Sequence, residues 1–240
     1  MDSTKSVPDD AERNALISAI IPVYNGGKYL GEAIDSVLSQ AGFRFDVMVV
    51  DDGSTDDTAK VVERFGPPVR YHYQMNAGVA AARNQGVAMA RGDFFSFLDA
   101  DDLWTADKMQ RQWAAFEADP SLEMAFGHAR QFYSEDLPPQ ERNRIAISTE
   151  SMPGHHAGAM LIKKEAFLRV GLFKVDLRIG EFIDWYARAV ELKLKSVMLT
   201  DVVMERRIHQ TNLGRLHSDQ RAGYVHVLKA ALDRRRNKQS

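Results

Sequence analysis

Apolar and polar positions along the chain alternate between two periods. Residues 15–24, ALISAIIPVY, form an apolar run closed by proline, which predicts a buried strand. In KYLGEAIDSVLSQ, 28–40, Leu30, Ile34, Val37 and Leu38 recur at helical spacing. VMVV, 47–50, is the next strand, and DDTAKVVERF, 56–65, predicts a helix whose acidic first turn suits its dipole. VRYHY (69–73) is a third strand, GVAAARNQGVAMA (78–90) a helix of small residues that can pack closely on a sheet, and FFSFLD (94–99) a fourth strand. A further helix covers 105–118. Strand and helix alternating over short connections predict an α/β fold, a mostly parallel, right-handed, doubly wound sheet with helices on both faces.

The second half is less regular. LEMAFGHARQFY (122–133) is strand-like, and the polar, proline-bearing 134–156 predicts a long mobile loop suited to a substrate lid. A short strand and helix follow over 157–171, an amphipathic helix over 180–194 and a strand over 195–209. No repeat and no linker divides the chain. One domain over 15–215 is expected, in a nucleotide-binding half (15–104) and an acceptor half (105–215). Residues 1–14 are expected to be a disordered lead-in, and 216–240 a C-terminal helix with a basic tail.

Composition narrows the partners. The 240 residues carry 31 basic and 33 acidic side chains, a net charge of −2, so no global field favours nucleic acid. There is no cysteine, which excludes disulfides and thiolate metal sites and suits a reducing, cytoplasmic setting. No apolar run is long enough to span a bilayer. The polar start MDSTKSVPDDAERN is unlike a signal peptide. The basic DRRRNKQS end reads as a solvated helix end, with anionic lipid at the inner membrane face as the other reading.

Carboxylates gather where strands end. IPVYN, VDDGS and LDADD all fall at strand C-termini, the edge of a doubly wound sheet where ligands bind. Asp99, Asp101 and Asp102 follow one strand directly. Acids spaced in this way can converge on Mg²⁺ or Mn²⁺, which prefer oxygen ligands, or can cap the next helix. Asp51 and Asp52 follow another strand. Asp52-Gly53 also reads as a turn pair, which accounts for one acid but not both. There is no Walker loop and no GxGxxG, so triphosphatase and dinucleotide readings lose their support.

SAIIPVYNGGKYLGEAIDSVLSQ, VMVVDDGSTDDTAKVV, NAGVAAARNQGVAMARGDFFSFLDADDLW and GLFKVDLRIGEFIDWYARA, in that order over roughly 16–214, resemble a family 2 glycosyltransferase. The resemblance implies a GT-A, Rossmann-like fold and transfer of a sugar from a nucleotide-diphospho-sugar, foremost a UDP-sugar. The acceptor would be a saccharide, a lipid-linked sugar or a peptide, and the assembly a monomer or homodimer. It implies that Pro22, Val23 and Tyr24 cradle the base, with Asp52 and, less directly, Asp51 beside it. Arg83, Asp99 and Asp101 would lie at the nucleotide, and Asp101, Asp102 and His209 at a divalent metal. Arg206 would approach the diphosphate. Developing charge on the leaving diphosphate is what a metal would neutralise, and an inverting transfer also needs a base for the acceptor hydroxyl.

The base is where the sequence departs from the family pattern. Relatives carry GEDxDxxxR, and here the stretch is GEFIDWYAR, so Phe182 stands at the usual acid. Glu181 beside it and Asp184 one turn on are both candidates. A degenerate, non-catalytic nucleotide-sugar-binding protein is the alternative, and a sugar nucleotidyltransferase a weaker one. Asp184 with Arg188 also reads as a helical i,i+4 ion pair. His155 and His156 read as loop residues, and Trp104 and Trp185 either as sugar-stacking rings or as core.

Overall fold

The computed structural model describes residues 15–210, apart from 146, 149 and 178. The predicted lead-in, the tail at 216–240 and the last residues of the acceptor half lie outside this range. Nine strands join in one sheet. β1 (Leu16–Val23), β2 (Arg44–Asp51), β3 (Val69–Tyr73) and β4 (Phe94–Phe97) pair in parallel in the order β3-β2-β1-β4. Between them run α1 (Gly27–Leu38), α2 (Thr58–Val62) and α3 (Val79–Met89). Each of these parallel strands therefore ends at the same edge of the sheet, as the alternating pattern requires.

The period-2 pattern sorts side chains to two faces. Ile17, Ala19, Ile21 and Val23 of β1 pack with Val47 and Val49 of β2 on one face, beneath Leu30, Ile34 and Val37 of α1. Ile20 and Phe95 point to the opposite face. There, Gly86 of α3 lies so close to β1 that an added Cβ would stand 2.4 Å from Ile20 Cγ2. The small residues of α3 are what let it lie this flat on the sheet.

The second half extends the sheet but changes its direction. β8 (Met160–Lys163) pairs antiparallel with β4 and with β6 (Met124–Tyr133). β9 (Ser196–Ile208) runs parallel to β6, and the two-residue β5 (Leu103–Trp104) closes the row against β9. β5, hidden in LDADDLW, was not separable from the acidic loop by pattern. α4 (Lys108–Ala118) covers one face, and α6 (Lys164–Val170) and α7 (Glu181–Glu191) cover the other.

The predicted lid at 134–156 is not a structureless loop. It contains α5 (Pro139–Arg144) and β7 (Met152–Pro153), which pairs with β6. Tyr29 Oη of α1 donates to Asp136 Oδ1 at 3.0 Å, and Lys28 forms an ion pair with the same carboxylate. Arg142 donates to the carbonyls of Ser134, Glu135 and Leu137. Prolines and polar residues in this stretch build a local cap and a tie to α1 rather than freedom.

Candidate active site

The site lies at the C-terminal edge of the parallel strands, and each acid there has an assigned neighbour. Asp51 ends β2, fully buried; its carboxylate accepts the Ser54 N–H and the Tyr71 hydroxyl, both at 2.7 Å. Asp52 accepts the Ala77 N–H at 2.9 Å, the Gly78 N–H at 2.8 Å and the Gln74 amide at 2.7 Å. The loop leading into α3 is thus folded around Asp52. Gly53 sits at φ +86°, and a side chain there would meet Asn76 N at 2.9 Å, so the turn demands glycine. Pro22 and Val23 are buried within β1, while Tyr24, Tyr73 and Met75 stand exposed around this corner. Of the predicted base cradle, only Tyr24 offers its side chain.

Arg83 of α3 joins the two halves of the protein. Its guanidinium donates to Asp99 Oδ1 at 2.6 Å and to Glu181 Oε1 at 2.5 Å. Asp99 follows β4, and Glu181 opens α7 just after Gly180 in the left-handed region. Arg83 is buried, and its Nε has no hydrogen-bond partner. Burial would raise the Asp99 pKa, but the Arg83 charge and hydrogen bond outweigh it and hold the carboxyl below its usual range.

The other two acids of the loop diverge. Asp101 Oδ2 lies 2.9 Å from His209 Nε2, and the His209 ring packs 4.9 Å from Tyr29. Asp102 is buried and accepts the Arg207 N–H at 2.9 Å, stitching the acidic loop to β9. Burial, with the neighbouring charges of Asp101 and Asp99, raises the Asp102 pKa well above the carboxylate range. Arg207 fixes the same corner, donating to the Asp101 carbonyl at 3.0 Å and to Glu32 at 2.7 Å. Arg206 is exposed, and its charge acts on Asp99 and Asp102. Among the described residues, no three His, Asp or Glu side chains stand together as a complete metal cage.

Several sequence candidates do not meet this centre. Asp184 is buried and accepts from Arg188 Nε at 2.9 Å and Lys174 Nζ at 3.1 Å. Burial opposes its ionisation, yet these two cations lower its pKa. Arg188 also donates to the carbonyls of Val170 and Leu172, so Asp184 belongs to the joint between α7 and α6. Trp104 and Trp185 are both core rings: Trp185 stacks on Phe167 at 5.0 Å, and Trp104 donates to the Phe97 carbonyl. Phe182 is buried among Phe126, Trp185 and Tyr186.

One residue read as plain loop does reach the site. His156 responds to the charges of Asp99 and Arg83, and burial, partly offset by Asp99, pushes its pKa down to about 4. A pair of histidines between glycine and alanine, GHHAGA, was its only sequence signal. Lys108 was also unanticipated. It is wholly buried, bonded to Gln112 Oε1 at 2.5 Å and lying over Trp104, with its pKa lowered far by burial.

Residues 18–175 match the model of the glycosyl transferase family 2. The chain belongs to that family. An uncharacterized glycosyltransferase of Rickettsia typhi is 30% identical to this family 2 chain over 211 residues, covering 81% of it and 64% of the relative. The chain thus spans less than two thirds of the first curated relatives it matches. Among solved structures, a mannosyltransferase of Pyrobaculum calidifontis, in complex with GDP-Man and Mn²⁺, superposes with a TM-score of 0.69. It is 20% identical, with 92% of this chain and 65% of that chain covered. TarS of S. aureus in complex with UDP-GlcNAc superposes with a TM-score of 0.65 at 20% identity, over 82% of this chain and 59% of that one. At such identity these structures support the GT-A fold. No helix among the described residues is long and apolar enough to cross a membrane.

Proposed function

We propose that this chain transfers a sugar, with inversion, from a nucleotide-diphospho-sugar to an acceptor hydroxyl, with a UDP-sugar as the foremost donor. The observation that carries the reading is Arg83, which ties Asp99 of the donor half to Glu181 of the acceptor half. A donor-side cluster alone would bind a nucleotide; a carboxylate brought to it from the far half adds the group that transfer needs. UDP-GlcNAc bound to TarS and GDP-Man bound to the mannosyltransferase support the donor class.

In this mechanism the nucleotide lies along the loops that Asp52 and Tyr24 shape, with Asp99, Arg83 and the exposed Arg206 at its phosphates. Asp101 and His209 pair an oxygen with an imidazole nitrogen, a donor set that would suit Mn²⁺ better than the more strictly oxygen-binding Mg²⁺ when diphosphate oxygens complete the shell. Asp102 is a weaker ligand, because it already accepts the Arg207 N–H. A bound cation would neutralise charge on the departing diphosphate. Glu181 takes the acceptor proton, the acceptor oxygen bonds to the anomeric carbon, and that carbon's bond to the diphosphate breaks. Asp184 serves α7 rather than the reaction.

Thermal shift with UDP or GDP, each with Mn²⁺ or with EDTA, tests the donor side. UDP with Mn²⁺ should stabilise most, and Asp101→Asn or His209→Ala should abolish the metal dependence. Equal shifts with Mn²⁺ and EDTA would refute the metal role. The buried Phe182 at the usual acid position favours a second reading, a donor-binding protein without transfer. UDP binding with no turnover of any donor would establish that reading.

A further inference from the structure

Beside Glu181 lies an aromatic surface that the donor site does not use. His155 is exposed, its ring 5.6 Å from Phe126 and 5.3 Å from Tyr186. Tyr186 is half-buried; Phe126 meets it edge-on at 5.6 Å, and Phe182 stacks parallel to it at 6.3 Å. Phe126 and Phe182 are buried and support the outer rings from behind.

The platform is held firmly. Gly154 N–H donates to the Gly127 carbonyl at 3.1 Å, and His156 N–H to the Gly154 carbonyl at 2.9 Å. A Cβ on Gly154 would stand 2.7 Å from the Gly127 carbonyl oxygen, so glycine is what lets this segment lie against β6. On its far side, Gln112 donates to the carbonyls of Ala125 and Ala159, both at 2.9 Å. His155 is therefore presented by anchored backbone.

Its position links it to the reaction. One peptide bond separates Phe182 from Glu181, which bonds Arg83. The platform thus borders the centre on the acceptor half. Its chemistry is that of an exposed imidazole beside a half-buried phenol ring, with the imidazole nitrogens and the phenol oxygen as polar groups. A pyranose matches it, having an apolar C–H face and hydroxyls around its edge. A hydrocarbon tail would leave those polar groups unpaired.

We propose that His155 and Tyr186, backed by Phe126 and Phe182, form the acceptor subsite and that its occupant is a saccharide ring. The proposal rests on the sugar-transfer reading above. Methyl glycosides of glucose, galactose, mannose and N-acetylglucosamine serve as probes, titrated by saturation-transfer NMR with and without UDP and Mn²⁺. At least one should bind, and Tyr186→Ala and His155→Ala should each weaken it about fivefold or more, with Tyr186→Phe retaining most of the affinity. UDP affinity, measured alongside, reports folding and the donor site separately. If UDP fails to bind while a glycoside still does, the donor reading falls and the platform stands. The proposal is overturned if none of the four glycosides binds, or if both alanine variants fold and bind them as the parent does.

Discussion

Arg83→Gln removes the one cation that lies between Asp99 and Glu181 in the bridge described above. The Glu181 bond is nearly dry, with 6% and 13% of the two side chains exposed, and a charge-assisted bond of this kind contributes roughly 1.5–3 kcal/mol. The Asp99 side chain is 47% exposed, so water replaces much of what it loses, and about 0.5 kcal/mol is the fair share for that pair. The total is about 3 kcal/mol, which for a chain of this size lowers Tm by about 6–12 °C. The pH dependence gives a second check. Asp99 has a depressed folded pKa, so its contribution is complete above the unfolded carboxylate value near pH 4 and is lost as pH falls through the folded value. The Tm gap between parent and variant, measured by scanning calorimetry, should therefore hold from about pH 7.5 to about pH 4 and narrow below it. A variant within about 2 °C of the parent at neutral pH, or a gap that does not narrow below about pH 4, would refute the bridge as a stabilising charge centre.

Three further outcomes follow from the packing. Asp184→Asn strips the buried partner from Arg188 and Lys174 and should cost about 3 kcal/mol in urea unfolding with UDP affinity unchanged, whereas Glu181→Gln should lower transfer about 10²-fold and, by trading the charge-assisted bond to Arg83 for a neutral one, cost only about 1 kcal/mol. Gly86→Val presses a branched side chain into Ile20 and should destabilise by about 1–3 kcal/mol, read from the denaturation midpoint. Asp136→Ala releases the cap from Lys28 and Tyr29, so limited proteolysis should cut within 134–145 faster than in the parent; equal rates would show that the tie does not hold the cap.

The parallel half was legible because its information is local. Strand runs, helical spacing and the acids at strand ends all lie within a few residues of one another, and β1 to β4 follow them. What escaped the pattern depends on distant partners. Asp102 looks like any third acid in LDADD until Arg207, far along the chain, brings it a backbone N–H. Lys108 at the start of an amphipathic helix reads as solvated, but it is buried between the Trp104 ring of β5 and Gln112. Asp184 and Arg188 carried a correct local signal, the i,i+4 pair, and it outweighs the analogy that made Asp184 a base. The prolines of 134–156 spoke only against regular structure across the whole stretch, not against the short helix that one of them starts.

The stitch between Asp102 and β9 also governs when the protein becomes competent during synthesis. His209 and the Arg207 N–H belong to the last described strand, which lies in the sheet between β6 and β5. A nascent chain that has released β1 to β4 and the acidic loop after them owns most of the acids but neither the backbone donor that fixes one of them nor the imidazole beside another. Arg83 of α3 already compensates Asp99, whereas Asp102 gains its backbone donor only with β9. Assembly of this corner is therefore a late step that waits for β9, and a ribosome that stalls before it leaves a polypeptide with a partly formed sheet.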